Sequence, residues 1–276
     1  MSLSESEVET IGQDEEGRWR EVHAAIIAEI RRTYADYQQD RTLARELTSE
    51  MVATRREEDK AQLASDEAVA HGLTKLRKNK SEGLLSLAEQ PYFARVVTEE
   101  GGREVEFRLG TASYPDMRII DWRKAPISKL YYDYREGHDF SEVIQGKERE
   151  GMIRLRRSYH GTDDKLNVIE AMQGTLIRSD AGWKLKPESG KPESQRFSRN
   201  TEQDGHLPPI LSLITSEQFD LITREAKRPV VIQGIAGSGK TTVALHRLAW
   251  MLHEDNSNCR PEKCLVVMFN RSLKAY

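Results

Sequence analysis

The run Gly234-Ile235-Ala236-Gly237-Ser238-Gly239-Lys240-Thr241 has the residue types and the spacing that hold a phosphate. It fits G-x-x-x-x-G-K-[ST] without a substitution. Glycines let the backbone wrap an anion with successive N–H groups pointing inward, at a helix N-terminus that already favours negative charge. Lys240 then reaches the β- and γ-phosphates of a nucleotide, and the Thr241 hydroxyl completes the shell of a Mg²⁺ ion. ATP and Mg²⁺ are the expected cofactors, Thr242 adjoins the same site, and catalysis has no candidate here beyond Lys240. A chance glycine turn would lack the flanks found here. "PVVIQG" (229–234) reads as a buried strand, and "KTTVALHRLAWMLHED" (240–255) as an amphipathic helix. "KCLVVMFN" (263–270) reads as a second buried strand, so the region predicts one βαβ unit of a parallel sheet.

Other reactive side chains carry less. Cys259 and Cys264 flank "RPEK" without the second pair a zinc site needs. His246 and His253 fall on or near the helix after the loop and read as surface or packed residues. Trp122, Tyr131, Tyr132 and Tyr134, interleaved with Arg123 and Lys129, have the make-up of a nucleic-acid platform. Aromatics at such spacing more often build the core of a β module, and that reading is preferred. Local context singles out no carboxylate as an acid or base.

The positioning elements follow from pattern. From Gly17 to Gly72 there is no other glycine and no proline. Trp19, Val22, Ile26, Ile30, Tyr34 and Tyr37, then Leu43, Leu47 and Met51, recur at helical steps among charges. One straight helix of that length would reach roughly 80 Å, so residues 1–88 are expected to form two antiparallel helices, turning near Tyr37–Arg41. Such an arm would project and bury little against the body. Glu5, Glu7, Glu9, Asp14, Glu15 and Glu16 precede any Lys or Arg, which predicts either a solvated tail or a handle for a basic partner. Residues 89–186 read as an antiparallel β module. "REVEFRLG" alternates, "EEGG" (Glu99–Gly102) makes a hairpin turn after "YFARVV", and "RIIDW", "SKLYYDY", "GMIRLRRSY", "TLIRSD" and "GWKLK" are further strand candidates. The polar stretch 187–209 reads as a linker, and 210–276 as the start of a phosphate-loop domain opened by a short helix in "TSEQFDLITREA". The fold class is multidomain α+β.

The chain carries a net charge of −3, so it is not a polycation that coats nucleic acid unaided. The two cysteines point to a reducing compartment, and no apolar run approaches the roughly 20 residues of a membrane span. A cytoplasmic protein is expected.

"TSEQFDLI" followed by "VVIQGIAGSGKTTVALHRLAWML" resembles the opening of superfamily 1 helicases of the UvrD/Rep kind. The resemblance implies that Gln218, 16 residues before Gly234, hydrogen-bonds the adenine. "VVMFNRSLKAY" is similar to motif Ia of that family, which implies that Phe269, Asn270 and Arg271 touch a single strand of DNA or RNA. Thr242 stands where many members have arginine. "EQPYFARV" and "RIIDWRKAPISKLYYDY", behind a helical arm and ahead of such a loop, are similar to the HelD-like proteins. These are UvrD-related ATPases that bind bacterial RNA polymerase and release it from DNA or RNA, the arm entering the secondary channel. The resemblance implies the N-terminal part of a RecA-like motor whose Mg²⁺-binding acids, arginine fingers and second motor domain would lie past Tyr276. The chain alone is then not expected to turn over ATP. A UvrD/Rep-like repair helicase and a nucleotide-sensing binding module without motor activity are the alternative readings.

Overall fold

The stretch without breakers forms two helices, α1 (Glu5–Ala53) and α2 (Glu57–Glu89). The computed structural model describes residues 3–53, 57–124, 126–144, 146–186, 210–225, 229–235, 237–253 and 255–267. The helices run antiparallel, as successive cross-pairs show. Glu29 meets Lys80 at 2.5 Å, Asp36 and Asp40 meet Arg77 at 3.0 and 2.8 Å, and the Thr48 hydroxyl donates to Glu67 at 2.6 Å. The turn expected at Tyr37–Arg41 is therefore corrected: those residues lie inside α1, which continues to Ala53. Within that polar cluster, Asp40 is the residue that pairs with Arg77 across the helices.

The strands are β1 (Ala94–Glu100), β2 (Arg103–Gly110), β3 (Ile119–Asp121), β4 (Asp139–Ile144), β5 (Lys147–Thr162), β6 (Lys165–Ala171), β7 (Gly174–Ser179) and β8 (Gly182–Lys186). They form one sheet in the order β3-β2-β1-β5-β6-β7-β8, with β4 also paired to β5. The hairpin at "EEGG" forms as expected. Gly101 and Gly102 take φ of 56° and 77°, the two positive angles that a tight hairpin turn requires. The sheet is mixed rather than wholly antiparallel, because β3 runs parallel to β2. A 3-10 turn at Pro115–Met117 and the left-handed Arg118 double the chain back before β3 starts. "SKLYYDY" is also corrected. It forms a short helix, α3 (Lys129–Tyr132), whose Leu130, Tyr131 and Tyr132 are all buried. A strand with one face in a core would have turned Tyr131 away.

Two cores form. In one, Val8, Trp19, Val22 and Ile26 of α1 and Leu84 and Leu87 of α2 pack on Tyr92, Tyr159, Leu166, Ile169, Leu176 and Trp183. The first half of α1 is thus a layer of the sheet, which overturns the expectation of an arm that buries little. Contact is close enough that a Cβ on Gly12 would stand 2.1 Å from the Trp183 ring. Glu5, Glu7 and Asp14 are exposed, but Glu15 and Glu16 are buried and are no solvated tail. Glu15 accepts from Arg95 at 2.7 Å, Arg157 at 2.5 Å and the Tyr159 hydroxyl at 3.0 Å, while Glu16 pairs with Arg178 and Arg20.

The second core joins Phe93, Val96, Phe107, Leu109, Trp122, Phe140 and Ile153 to Leu211, Ile214, Phe219, Ile222, Val243 and Trp250. Those last six belong to or adjoin α4 (Ile210–Leu213), α5 (Ser216–Thr223) and α6 (Lys240–Met251). The expected strands flanking α6 do not appear: residues 229–235 and 264–267 carry no strand pairing. Val231 is 81% exposed and Val267 84%, whereas parallel strands persist only when covered on both faces. The stretch 187–209 and residues 268–276 lie outside the described residues. Among the described residues no helix is long and apolar enough to cross a membrane.

Candidate nucleotide site

Helix α6 begins at Lys240, directly behind the glycine-rich run. Its N-cap residue, Gly239, has φ 80° and ψ 14°, and Gly237 also has φ 80°. Side chains at these two positions would be strained, so the motif's second glycine, Gly239, and Gly237 within the run sit where the backbone demands glycine. The Lys240 ammonium lies over the loop, donating to the carbonyls of Gly234 at 3.0 Å and Ile235 at 2.6 Å. Thr241 is exposed on the first turn and Thr242 is half-buried. A nucleotide's phosphates fit this set of donors: glycine-permitted backbone N–H groups, a helix N-terminus and one ammonium. Mg²⁺ would take the Thr241 hydroxyl.

Gln218 is brought to the loop. Its Nε2 donates to the Ser238 carbonyl at 3.4 Å, and its Oε1 accepts from the Thr215 amide at 3.1 Å. Thr215 Oγ1 in turn accepts from the Gln218 amide at 3.3 Å. This reciprocal pair is a capping box on α5, written in the sequence as T-x-x-Q. Gln218 therefore fixes the start of α5 and spans to the loop at once. Ala236, Phe269, Asn270 and Arg271 lie outside the described residues.

Three side chains that hold the site belong to no motif. Arg247, buried on α6, donates to the carbonyls of Leu221 at 2.9 Å, Ile222 at 3.2 Å and Arg224 at 2.6 Å. It closes the C-terminal end of α5, where the helix dipole favours a cation. Burial, then the nearby Arg224 charge, pulls its guanidinium below the ordinary arginine range. The signal in sequence was a charge on the apolar stripe Val243, Arg247 and Trp250. Asp133 accepts from the Ser216 hydroxyl at 2.5 Å, and burial raises its carboxyl above the usual range. Tyr132 stacks on Phe219 with ring centroids 4.2 Å apart and donates to the Leu211 carbonyl at 3.0 Å. Trp122 lies 5.7 Å from the His246 ring, and Asn256 Nδ2 donates to the Arg123 carbonyl at 2.9 Å. The aromatics of 122–132 are core residues, and the core they share is that of the loop-bearing helices.

A helical pair is layered on a mixed sheet, and the helix behind the glycine-rich run packs onto the other face of that sheet's core. The family described as the N-terminal domain of DNA helicase IV HelD matches residues 21–178, more than half of the chain. The chain belongs to that family. The match covers most of α1, all of α2 and the sheet into β7, and it ends ahead of Gln218 and the loop. No curated protein matches the chain.

Proposed function

We propose that this chain is the N-terminal part of an ATP-dependent superfamily 1 helicase-like motor, a HelD-like factor that binds RNA polymerase and remodels it or releases it from nucleic acid. One observation carries the reading. The HelD N-terminal domain and the helix behind an unsubstituted phosphate loop share a single hydrophobic core. In this account ATP sits on Gly234–Thr241, Lys240 neutralises its β- and γ-phosphates, Thr241 holds Mg²⁺ and Gln218 reads the adenine. The RecA-like unit completes its parallel sheet with Val231 and Val267 covered on both faces, and hydrolysis belongs to the full-length protein.

The arm is the surface for RNA polymerase. Among the described residues, none from 31 to 83 belongs to the core beneath the sheet, and Tyr34, Leu43, Val69 and Leu76 stand exposed. An apolar surface on projecting helices suits a protein partner. Phe269, Asn270 and Arg271 contact single-stranded DNA or RNA, and the protein works in the cytoplasm. The test is retention of RNA polymerase by the full-length protein, beside a duplex-unwinding assay. The proposal expects retention that is lost when residues 34–76 are replaced by a short turn. Efficient unwinding without polymerase retention would overturn it in favour of a repair helicase.

A further inference from the structure

The segment after α6 holds two thiols that neither the cores nor the nucleotide site uses. Cys259 and Cys264 bracket Arg260-Pro261-Glu262-Lys263, and a 3-10 turn over Pro261–Lys263 folds the bracket back on itself. The Lys263 amide donates to the Arg260 carbonyl at 2.9 Å and the Cys264 amide to the Pro261 carbonyl at 3.1 Å. The two Sγ atoms end 3.1 Å apart, about 1 Å more than a disulfide bond. The base of the bracket is anchored. The Cys259 amide donates to Ser257 Oγ at 3.0 Å, Ser257 Oγ donates to the Met251 carbonyl at 2.5 Å, and Asn256 Nδ2 donates to the Trp250 carbonyl at 3.0 Å. Closure therefore asks only for a small shift of sulfur.

Core packing does not account for the pair. Cysteines kept for packing are among the most deeply buried side chains, whereas both of these are half-exposed and reachable by a small oxidant.

We propose that Cys259 and Cys264 form a redox-active dithiol site that a hydroperoxide closes into a disulfide. The Cys259 thiolate attacks one peroxide oxygen and the O–O bond breaks. Cys259 becomes a sulfenic acid, and the leaving oxygen takes up the proton that the thiol had released. The Cys264 sulfur then attacks the Cys259 sulfur, the S–O bond breaks, and the hydroxyl departs with the Cys264 proton as water. Both thiols are oxidised together, and one hydroperoxide is reduced to water and an alcohol, or to water alone for hydrogen peroxide. The order of attack follows from the contacts. Cys264 donates to the Arg260 carbonyl at 3.3 Å, a contact that holds its proton while Cys259 reacts first. The resulting ring would tie the end of the loop-bearing helix to the stretch that begins at Cys264.

The experiment treats the whole chain with hydrogen peroxide, alkylates the remaining thiols and maps the peptides by mass spectrometry. The expected product is an intramolecular 259–264 cross-link lighter by two hydrogens and reversed by dithiothreitol. Cys264→Ser should leave a sulfenic acid on Cys259 that dimedone captures, and Cys259→Ser should leave Cys264 open to alkylation at the same dose. Wild type that keeps both thiols alkylatable would overturn the proposal. So would separate oxidation of each thiol to a sulfinic acid, or cross-links found only between chains.

Discussion

Glu15 shows what a single side chain can decide in this fold. Its carboxylate is buried and accepts from Arg95, Arg157 and Tyr159. Burial alone would pull the Arg95 guanidinium down, but the Glu15 charge beside it leaves it raised. Glu15→Ala would take the carboxylate from Arg157 and leave Arg95 with Glu106 alone, a loss of about 3 kcal/mol. Chemical denaturation measures it, and a loss within error of zero would contradict this role. The sequence could not reveal the pairing, since Arg95 and Arg157 stand 80 and 142 residues away. His160 gives a pH prediction. Burial pushes its pKa down from 6.5 to about 3. Below pH 6.5 the unfolded chain takes up a proton that the folded one refuses, so stability falls from there toward pH 3. Glu29 and Glu106 lose their lowered-pKa contributions only as pH falls below 4.5, and the raised Asp133 carboxyl acts with the opposite sign, so the comparison with a His160 variant is what isolates the histidine. Thermal midpoints should fall between pH 6.5 and 4.5 in wild type and stay flatter in His160→Gln. Equal slopes would remove His160 from the account.

Among the elements, α1 is the one whose role differs most from its sequence pattern. Its periodicity was plain in Trp19, Val22 and Ile26, yet the apolar face said nothing about whether a helix or a sheet would cover it. The same holds for "SKLYYDY", where three adjacent apolar residues suit a strand or a buried turn of helix until Phe93 and Phe219 are placed around them. "REVEFRLG" and "EEGG" were legible because alternation and paired glycines are local signals. The flanks of α6 were legible as apolar but not as unpaired. Gly12 offers a test in which helix propensity and packing have opposite signs. On propensity, Gly12→Ala should stabilise α1 by about 1 kcal/mol. Packing opposes it, because the added methyl would sit 2.1 Å from the Trp183 ring. The buried ring, held by Glu16 at Nε1, cannot yield that far, so the variant should be destabilised in thermal unfolding. A raised midpoint would mean that α1 does not lie this close to β8.

At the scale of the molecule, the family domain and the loop-bearing helices form one connected body. The glycine-rich run and the helix that starts behind it were readable from sequence alone. Their supports were not, because Asp133, Tyr132 and Arg247 act through contacts with residues far along the chain. If these supports hold the nucleotide site in place, loosening α5 from α3 should be felt at the loop. Asp133→Ala removes the acceptor for Ser216 and should weaken Mg-ATP binding several-fold, whereas Asp133→Asn keeps an acceptor and should restore most of it. Equal affinity in wild type and Asp133→Ala would separate the sheet from the site.

The most direct test is calorimetric titration of this chain with Mg-ATP, in wild type and in Lys240→Ala. Loss of a charge-assisted phosphate contact is worth about 1.5–3 kcal/mol, so affinity should fall roughly ten- to a hundredfold in the variant. Indistinguishable affinities for the two proteins would contradict the assignment of Gly234–Thr241 as the nucleotide site.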